Sequence, residues 1–173
     1  MRKVLLVLFI LFPPLISAKG VPPAYVEIAV KNNIPPALLY AVALTESKNG
    51  YAGRVTPWPW TANVSGVAHF YTDRQEAYEH LSNQLRNGNK NFDVGLMQVN
   101  WRWNGHRFES LWDATDPYKN IRVGASILSE LRTSLGSFED AVGAYHSPNN
   151  KGRADKYRTR VRQELALLLK GER

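Results

Sequence analysis

The amino-acid sequence predicts a mainly α-helical domain behind a short export segment. Three observations lead there. Helix start and stop signals recur along the chain after residue 20. The apolar residues between them return at three- and four-residue intervals rather than alternating. The 173 residues, 44% hydrophobic and 21% charged, suffice for one hydrophobic core and are few for two.

At the N-terminus, Arg2 and Lys3 precede an unbroken apolar run from Val4 to Phe12, which Pro13 and Pro14 interrupt. Ser17-Ala18 then supplies small residues ahead of Lys19. That is the order of parts in a secretory signal peptide, so residues 1–18 are expected to be removed and residues 19–173 to form the domain. The run is shorter than the roughly 20 apolar residues that span a bilayer, and no later segment comes closer, so no stable membrane span is expected after cleavage. The predicted location is the periplasm.

Helical elements follow in order. Pro22 and Pro23 can open a helix over about Ala24 to Lys31, since proline is tolerated in a first turn. Asn32 and Asn33 break it, Pro35 and Pro36 restart a second, and Leu38, Leu39, Val42 and Ala43 keep its period. Asn49-Gly50 reads as the C-cap of that helix. Residues 51 to 71, with Pro57-Trp58-Pro59-Trp60, read as an ordered loop with a short hairpin. Asp73 as N-cap and Glu76 as capping-box partner start a helix to Arg86. Later helices are expected over Tyr118 to Ser134, Ser137 to Tyr145 and Asp155 to Leu169, with Asn150-Lys151-Gly152 as a turn before the last.

The formal charge is +7, which suits an acidic partner: nucleic acid, anionic lipid or a carboxylate-bearing cell wall. Removing Arg2 and Lys3 lowers it only to +5. The chain has no cysteine, which excludes thiol catalysis, cysteine zinc sites and iron–sulfur clusters. His69, His80, His106 and His146 have no metal-ligand spacing, so no metal and no cofactor is expected. Basic residues of the last helix (Lys156, Arg158, Arg160, Arg162) read as spread around it, and no nucleic-acid-binding motif accompanies them.

Chemistry centres on Glu46. It follows Val42 by four residues and Leu39 by seven, which puts it on the apolar stripe in the last turn of its helix. Burial and the negative end of the helix dipole both favour a protonated carboxyl, as a general acid requires. The same spacing also fits a Glu46 at the rim of the stripe with its carboxylate in water.

Ala43-Leu44-Thr45-Glu46-Ser47, Gly95-Leu96-Met97-Gln98-Val99-Asn100 and Ala144-Tyr145-His146, in that order, resemble the motifs of the soluble lytic transglycosylase family. Asp116 to Ala125 resembles the family segment that opens the next helix. The resemblance spans roughly Val21 to Tyr145 and implies a lysozyme-like α fold, with the Trp-rich loop as an insertion. It further implies that Glu46 protonates the glycosidic oxygen and then acts as base. Gln98 would position substrate or Glu46, Met97 would pack near the sugar, and Tyr145 would donate a hydrogen bond toward Glu46. Ser47, Gly95, Leu96 and Asn100 would bind or support. His146 stands where the family usually has Asn.

Hydrolases of this kind pair the acid with a second carboxylate. Goose-type lysozymes tend to carry Asp at the end of the Gly-Leu-Met-Gln motif, whereas this chain has Asn100. The resemblance therefore implies cleavage between N-acetylmuramic acid and N-acetylglucosamine without water, giving 1,6-anhydromuramyl ends. Asp93 is the candidate helper carboxylate, and a capping or solvated role fits it too. Trp58, Trp60 and Trp101 are candidate stacking platforms for sugar C–H faces. The Pro-Trp-Pro-Trp loop resembles an insertion of transglycosylases that accompany conjugation or secretion systems, so peptidoglycan strands and components of such an apparatus are the expected partners. The rival readings are a hydrolytic muramidase and a non-catalytic peptidoglycan-binding module.

Overall fold

A computed structural model describes residues 20–51 and 54–172; the export signal expected over residues 1–18 lies outside them. The chain begins with α1 (Pro23–Lys31) and α2 (Pro36–Ser47), each with proline in its first turn. Two hairpins follow, β1 (Lys48–Tyr51) with β2 (Arg54–Pro57), and β3 (Thr61–Val64) with β4 (Val67–Phe70). Next come α3 (Arg74–Arg86), β5 (Phe92–Val94), β6 (Val99–Asn100), α4 (Trp101–Asn104), a 3-10 turn (Gly105–Arg107) and α5 (Leu111–Ala114). The C-terminal part is α6 (Pro117–Leu135), α7 (Phe138–His146) and α8 (Lys151–Lys170).

The core is built around α2. Leu39, Tyr40, Ala41, Val42, Ala43 and Leu44 are all buried, so this helix is enclosed on every side rather than amphipathic. That corrects the expectation of a stripe: from Leu39 to Leu44 α2 has no solvated face for Glu46 to avoid. Helices α1 and α8 pack on α2, and α6, α7 and α8 pack in succession. A four-stranded antiparallel sheet, ordered β4-β3-β5-β6, lies beside the helices and contributes Ala62, Val64, Phe92, Val94 and Val99 to the same core.

Local chemistry sets the helix boundaries. The Asp73 side chain accepts from Glu76 N at 2.9 Å, while Glu76 Oε2 accepts from Thr72 N at 2.7 Å, a reciprocal cap close to the predicted box. Asp116, Ser137 and Asn150 cap α6, α7 and α8 in the same way. Gly136, at φ +83°, ends α6 in the left-handed conformation that glycine adopts without steric cost.

Three local expectations are corrected. Asn49 and Gly50 do not cap α2; they lie in β1, paired with Thr56 and Val55, and the helix ends at Lys48 in extended conformation. Residues 51 to 71 hold strands of two hairpins rather than a loop with one. Asn150-Lys151-Gly152 is the cap and first turn of α8, because an Asn side chain that can close a turn can equally accept the N3 amide, here Arg153 N at 3.0 Å.

Candidate active site

Glu46 stands in the last turn of α2, where the enclosed helix meets the surface, and is half-buried. Its Oε1 accepts a hydrogen bond from the Tyr157 hydroxyl at 2.6 Å. Burial pushes its pKa up to about 7; the Tyr157 hydrogen bond pulls the other way, the Asp93 charge adds to the rise and the Arg160 charge opposes it. A carboxyl in that range is present in both protonation states near neutral pH, so it can give a proton and take one back.

The segment Gly95-Leu96-Met97-Gln98 is a tight turn between β5 and β6 whose polar groups are engaged within the fold. Gly95, at φ +79°, donates its N–H to Thr61 O at 2.8 Å. Leu96 O lies 2.8 Å from the Ser47 hydroxyl, which is also 3.0 Å from Ala43 O, and this ties the turn to the end of α2. Met97 N donates to Asn120 Oδ1 at 2.9 Å, and Met97 O accepts from the Tyr145 hydroxyl at 2.8 Å. Gln98, at φ +43°, folds its side chain back so that Nε2 donates to Gly95 O at 2.9 Å. Met97 is fully buried, packed so closely on Gly124 that a Cβ there would lie 2.5 Å from its own.

Asn120 is the residue that sequence reasoning passed over in this frame. It is buried in α6, and besides meeting Met97 N its Nδ2 donates to Val94 O and Ala114 O at 2.9 and 3.1 Å. Its side chain occupies the space that a Cβ on Gly95 would need, at 2.5 Å. The signal was present, because Asn120 falls inside the segment Asp116 to Ala125, but nothing in the spacing tells a polar linchpin from a surface Asn on a helix.

The hydrogen bond to Glu46 expected of Tyr145 comes from another tyrosine. Tyr145 lies close enough to Glu46 for their charges to interact, yet its hydroxyl goes to Met97 O. The donor to Glu46 is Tyr157 of α8, buried in the core. The reason is geometric: α8 crosses directly against α2, while α7 reaches the site through the 95–98 turn. Nothing in the sequence singles out Tyr157 within the last helix. His146 is exposed and stacks on the Tyr157 ring, centroids 4.6 Å apart and planes within 4°. Partial burial of the ring lowers its pKa, and the charges of Arg160 and Arg153 lower it further.

Asp93 lies in β5 opposite Asn100 in β6, and its Oδ1 accepts from Asn100 Nδ2 at 2.7 Å. Burial raises its pKa and that hydrogen bond lowers it. Asn100 also caps α4, accepting from Trp103 N at 3.2 Å. Among the tryptophans, Trp101 runs nearly parallel to Phe92 and Phe108 at 5.9 and 6.4 Å and, like Trp60, packs one side against the core. Trp58 and Trp60 are half-buried and meet edge to face at 5.9 Å, with Trp58 Nε1 donating to Tyr71 O at 2.9 Å. Among the described residues no group of three or more His, Asp or Glu side chains is placed to hold a metal ion, and no helix is long and apolar enough to cross a membrane.

Helices enclosing a buried central helix, a small antiparallel sheet and a half-buried Glu at the helix end define a mainly α, lysozyme-like domain. The family model described as "Transglycosylase SLT domain" matches residues 74–166, from the start of α3 into α8. That is more than half of the chain, which belongs to this family, and membership implies lytic transglycosylase chemistry on peptidoglycan. The matched region holds the 95–98 turn, Asn120, Tyr145 and Tyr157; Glu46 lies N-terminal to it. Comparison with curated proteins and with solved structures gives no match.

Proposed function

We propose that the protein cleaves the bond between N-acetylmuramic acid and N-acetylglucosamine with Glu46 as sole acid and base, releasing 1,6-anhydromuramyl ends. The observation that carries this reading is the setting of Glu46: a carboxyl at the end of an enclosed helix, raised to about 7 by burial and aimed by Tyr157. In its protonated form Glu46 gives its proton to the glycosidic oxygen as the bond from the muramic C1 breaks. The carbonyl of the substrate's own N-acetyl group stabilises the positive charge developing at C1. The Glu46 carboxylate then takes the proton of the C6 hydroxyl, whose oxygen attacks C1 and closes the anhydro ring. Glu46 ends protonated, and no water is consumed.

Such a sequence needs one titrating carboxyl near neutrality and no second nucleophile. Asn100 stands where a base would serve a hydrolase, and the nearby Asp93 is engaged by it. Trp58 and Trp60 are the rings we assign to contact with the sugar faces. The N-terminal signal favours action in the periplasm, and the Trp-rich segment, which here forms two hairpins, favours local wall opening around a conjugation or secretion apparatus.

The test is a digest of purified peptidoglycan with the mature protein and with Glu46→Gln, read by mass spectrometry of the released muropeptides. Products one water lighter than hydrolysis gives, and absent with Glu46→Gln, are the expected result. Hydrated reducing ends would make the enzyme a muramidase and move attention to Asp93. No release by a folded protein would leave a binding module.

A further inference from the structure

Helix α8 carries two sets of cations with different fates. Arg158 is paired with Glu139, Asp140 and Asp155, and Arg162 with Glu139. Arg153, Lys156 and Arg160 make no ion pair among the described residues, and their spacing of three and four puts them on one face of the helix. Lys156, Arg158, Arg160 and Arg162, expected to be spread around the helix, thus fall on two faces, Arg158 and Arg162 on one and Lys156 and Arg160 with Arg153 on the other. Together with Thr159 and His146, Arg153, Lys156 and Arg160 line a shallow, open cavity of about 570 Å³ that has no acidic residue in its lining.

The cavity is linked to Glu46 through the buried Tyr157 ring. His146, at its edge, stacks on Tyr157, which donates to Glu46. Arg160 lies over the same Tyr157 ring at 5.4 Å, and its charge reaches Glu46. Burial lowers the His146 pKa most, and the charges of Arg160 and Arg153 lower it further. Unpaired guanidinium and ammonium groups beside a hydroxyl and an imidazole suit a ligand with carboxylates on a flexible backbone.

We propose that this cavity seats the carboxylates of the peptide stem borne by N-acetylmuramic acid, so that the protein selects peptide-bearing glycan strands over bare ones. The inference rests on the reading of Glu46 given above: the sugar whose C1 bond is cleaved is the one that carries the stem, so the stem leaves the chain within reach of the cavity. Arg153 and Lys156 are exposed, which makes Arg153→Gln/Lys156→Gln a change of charge with little effect on packing.

The test uses three strand preparations of equal length: peptide-bearing, stripped of peptide, and peptide-bearing with the stem carboxylates amidated. Affinity is first read with Glu46→Gln, which binds without turnover, and then with Glu46→Gln/Arg153→Gln/Lys156→Gln. Peptide-bearing strands are expected to bind the first protein about tenfold more tightly than stripped or amidated ones, and the second with a preference near unity. Cleavage rates of the wild-type protein and of Arg153→Gln/Lys156→Gln should show the same loss of preference. Equal binding of all three strands by Glu46→Gln, or a preference that survives the double substitution, overturns the proposal; such a surviving preference would turn attention to another surface. Preferential binding without cleavage by the wild-type protein would overturn the role of Glu46 and leave the stem site standing.

Discussion

Replacing Glu46 by Gln should make the protein more stable, by an amount that depends on pH. The Glu46 carboxyl has an ordinary value of 4.5 and is raised to about 7 in the folded chain, chiefly by burial. Below pH 4.5 the group is protonated whether the chain is folded or not, and it imposes no penalty. As pH rises from 4.5 to 7 the unfolded chain ionises and the folded one resists, so stability falls by about 1.36 kcal/mol per pH unit. Above pH 7 the loss is complete at about 3 kcal/mol. The amide introduced by Glu46→Gln never ionises, and its carbonyl can still accept from Tyr157. The variant should therefore match the wild-type protein within about 1 kcal/mol at pH 4 and exceed it by about 3 kcal/mol at pH 8, a rise of about 6–12 °C in Tm for a domain of this size. Urea titrations of both proteins at pH 4, 6 and 8 measure the gap directly. Because the two chains differ at one position, titration of the other groups largely cancels. A gap that does not widen with pH, or a wild-type protein that is the more stable at pH 8, would refute the protonated, desolvated Glu46 on which the proposed chemistry depends.

Tyr157→Phe removes the hydroxyl that favours the Glu46 carboxylate, so the Glu46 pKa should rise and the alkaline limb of the rate profile move up by about one pH unit, with kcat down about tenfold; a pH–rate series checks both. Asp93→Asn removes a negative charge that raises the Glu46 pKa, so the same limb should move down, with the proposed anhydro ends unchanged and a rate loss below about tenfold; loss of all products would restore Asp93 as a required base. Gly95→Ala forces a side chain into a left-handed position and onto Asn120 at 2.5 Å, and should destabilise by about 2–4 kcal/mol in thermal melts. Asn120→Ala strips partners from Met97 N, Val94 O and Ala114 O and should cost about as much.

The long elements were legible because they carry enough turns for a period, a cap and a stop signal to agree. The predicted starts and ends of α3, α6 and α7 fall within a residue or so of those observed. The strands were not legible for the opposite reason. β5 and β6 are three and two residues long, so no alternation exists to be read, and their pairing is set by the 95–98 turn between them. At the site, Glu46 was legible as an acidic residue ending an apolar helix, although no apolar stripe singles it out. Since α2 is buried all round, what singles out Glu46 is its place at the helix end. Tyr157 was illegible because its partnership with Glu46 spans 111 positions, and only the crossing of α8 over α2 creates it.

The hydrogen bonds divide the motif residues into a frame and a face. Ser47, Gly95, Met97, Gln98, Asn120 and Tyr145 direct polar groups at one another or at nearby backbone, which locks the end of α2 to the 95–98 turn and the turn to α6 and α7. Buried polar networks of this kind fix one arrangement because any half-broken version leaves unsatisfied groups. Glu46, Tyr157, His146 and Arg160 lie instead along the seam between α2 and α8. Substitutions in the frame should therefore act through stability and the position of Glu46, lowering kcat together with Tm. Substitutions along the seam should act through the protonation of Glu46 or the choice of strand, moving pH profiles and substrate preference with Tm almost unchanged when the residue is exposed, as Arg153 and Lys156 are. A frame substitution that altered substrate preference at unchanged Tm would break this division, and with it the assignment of binding to the α8 face.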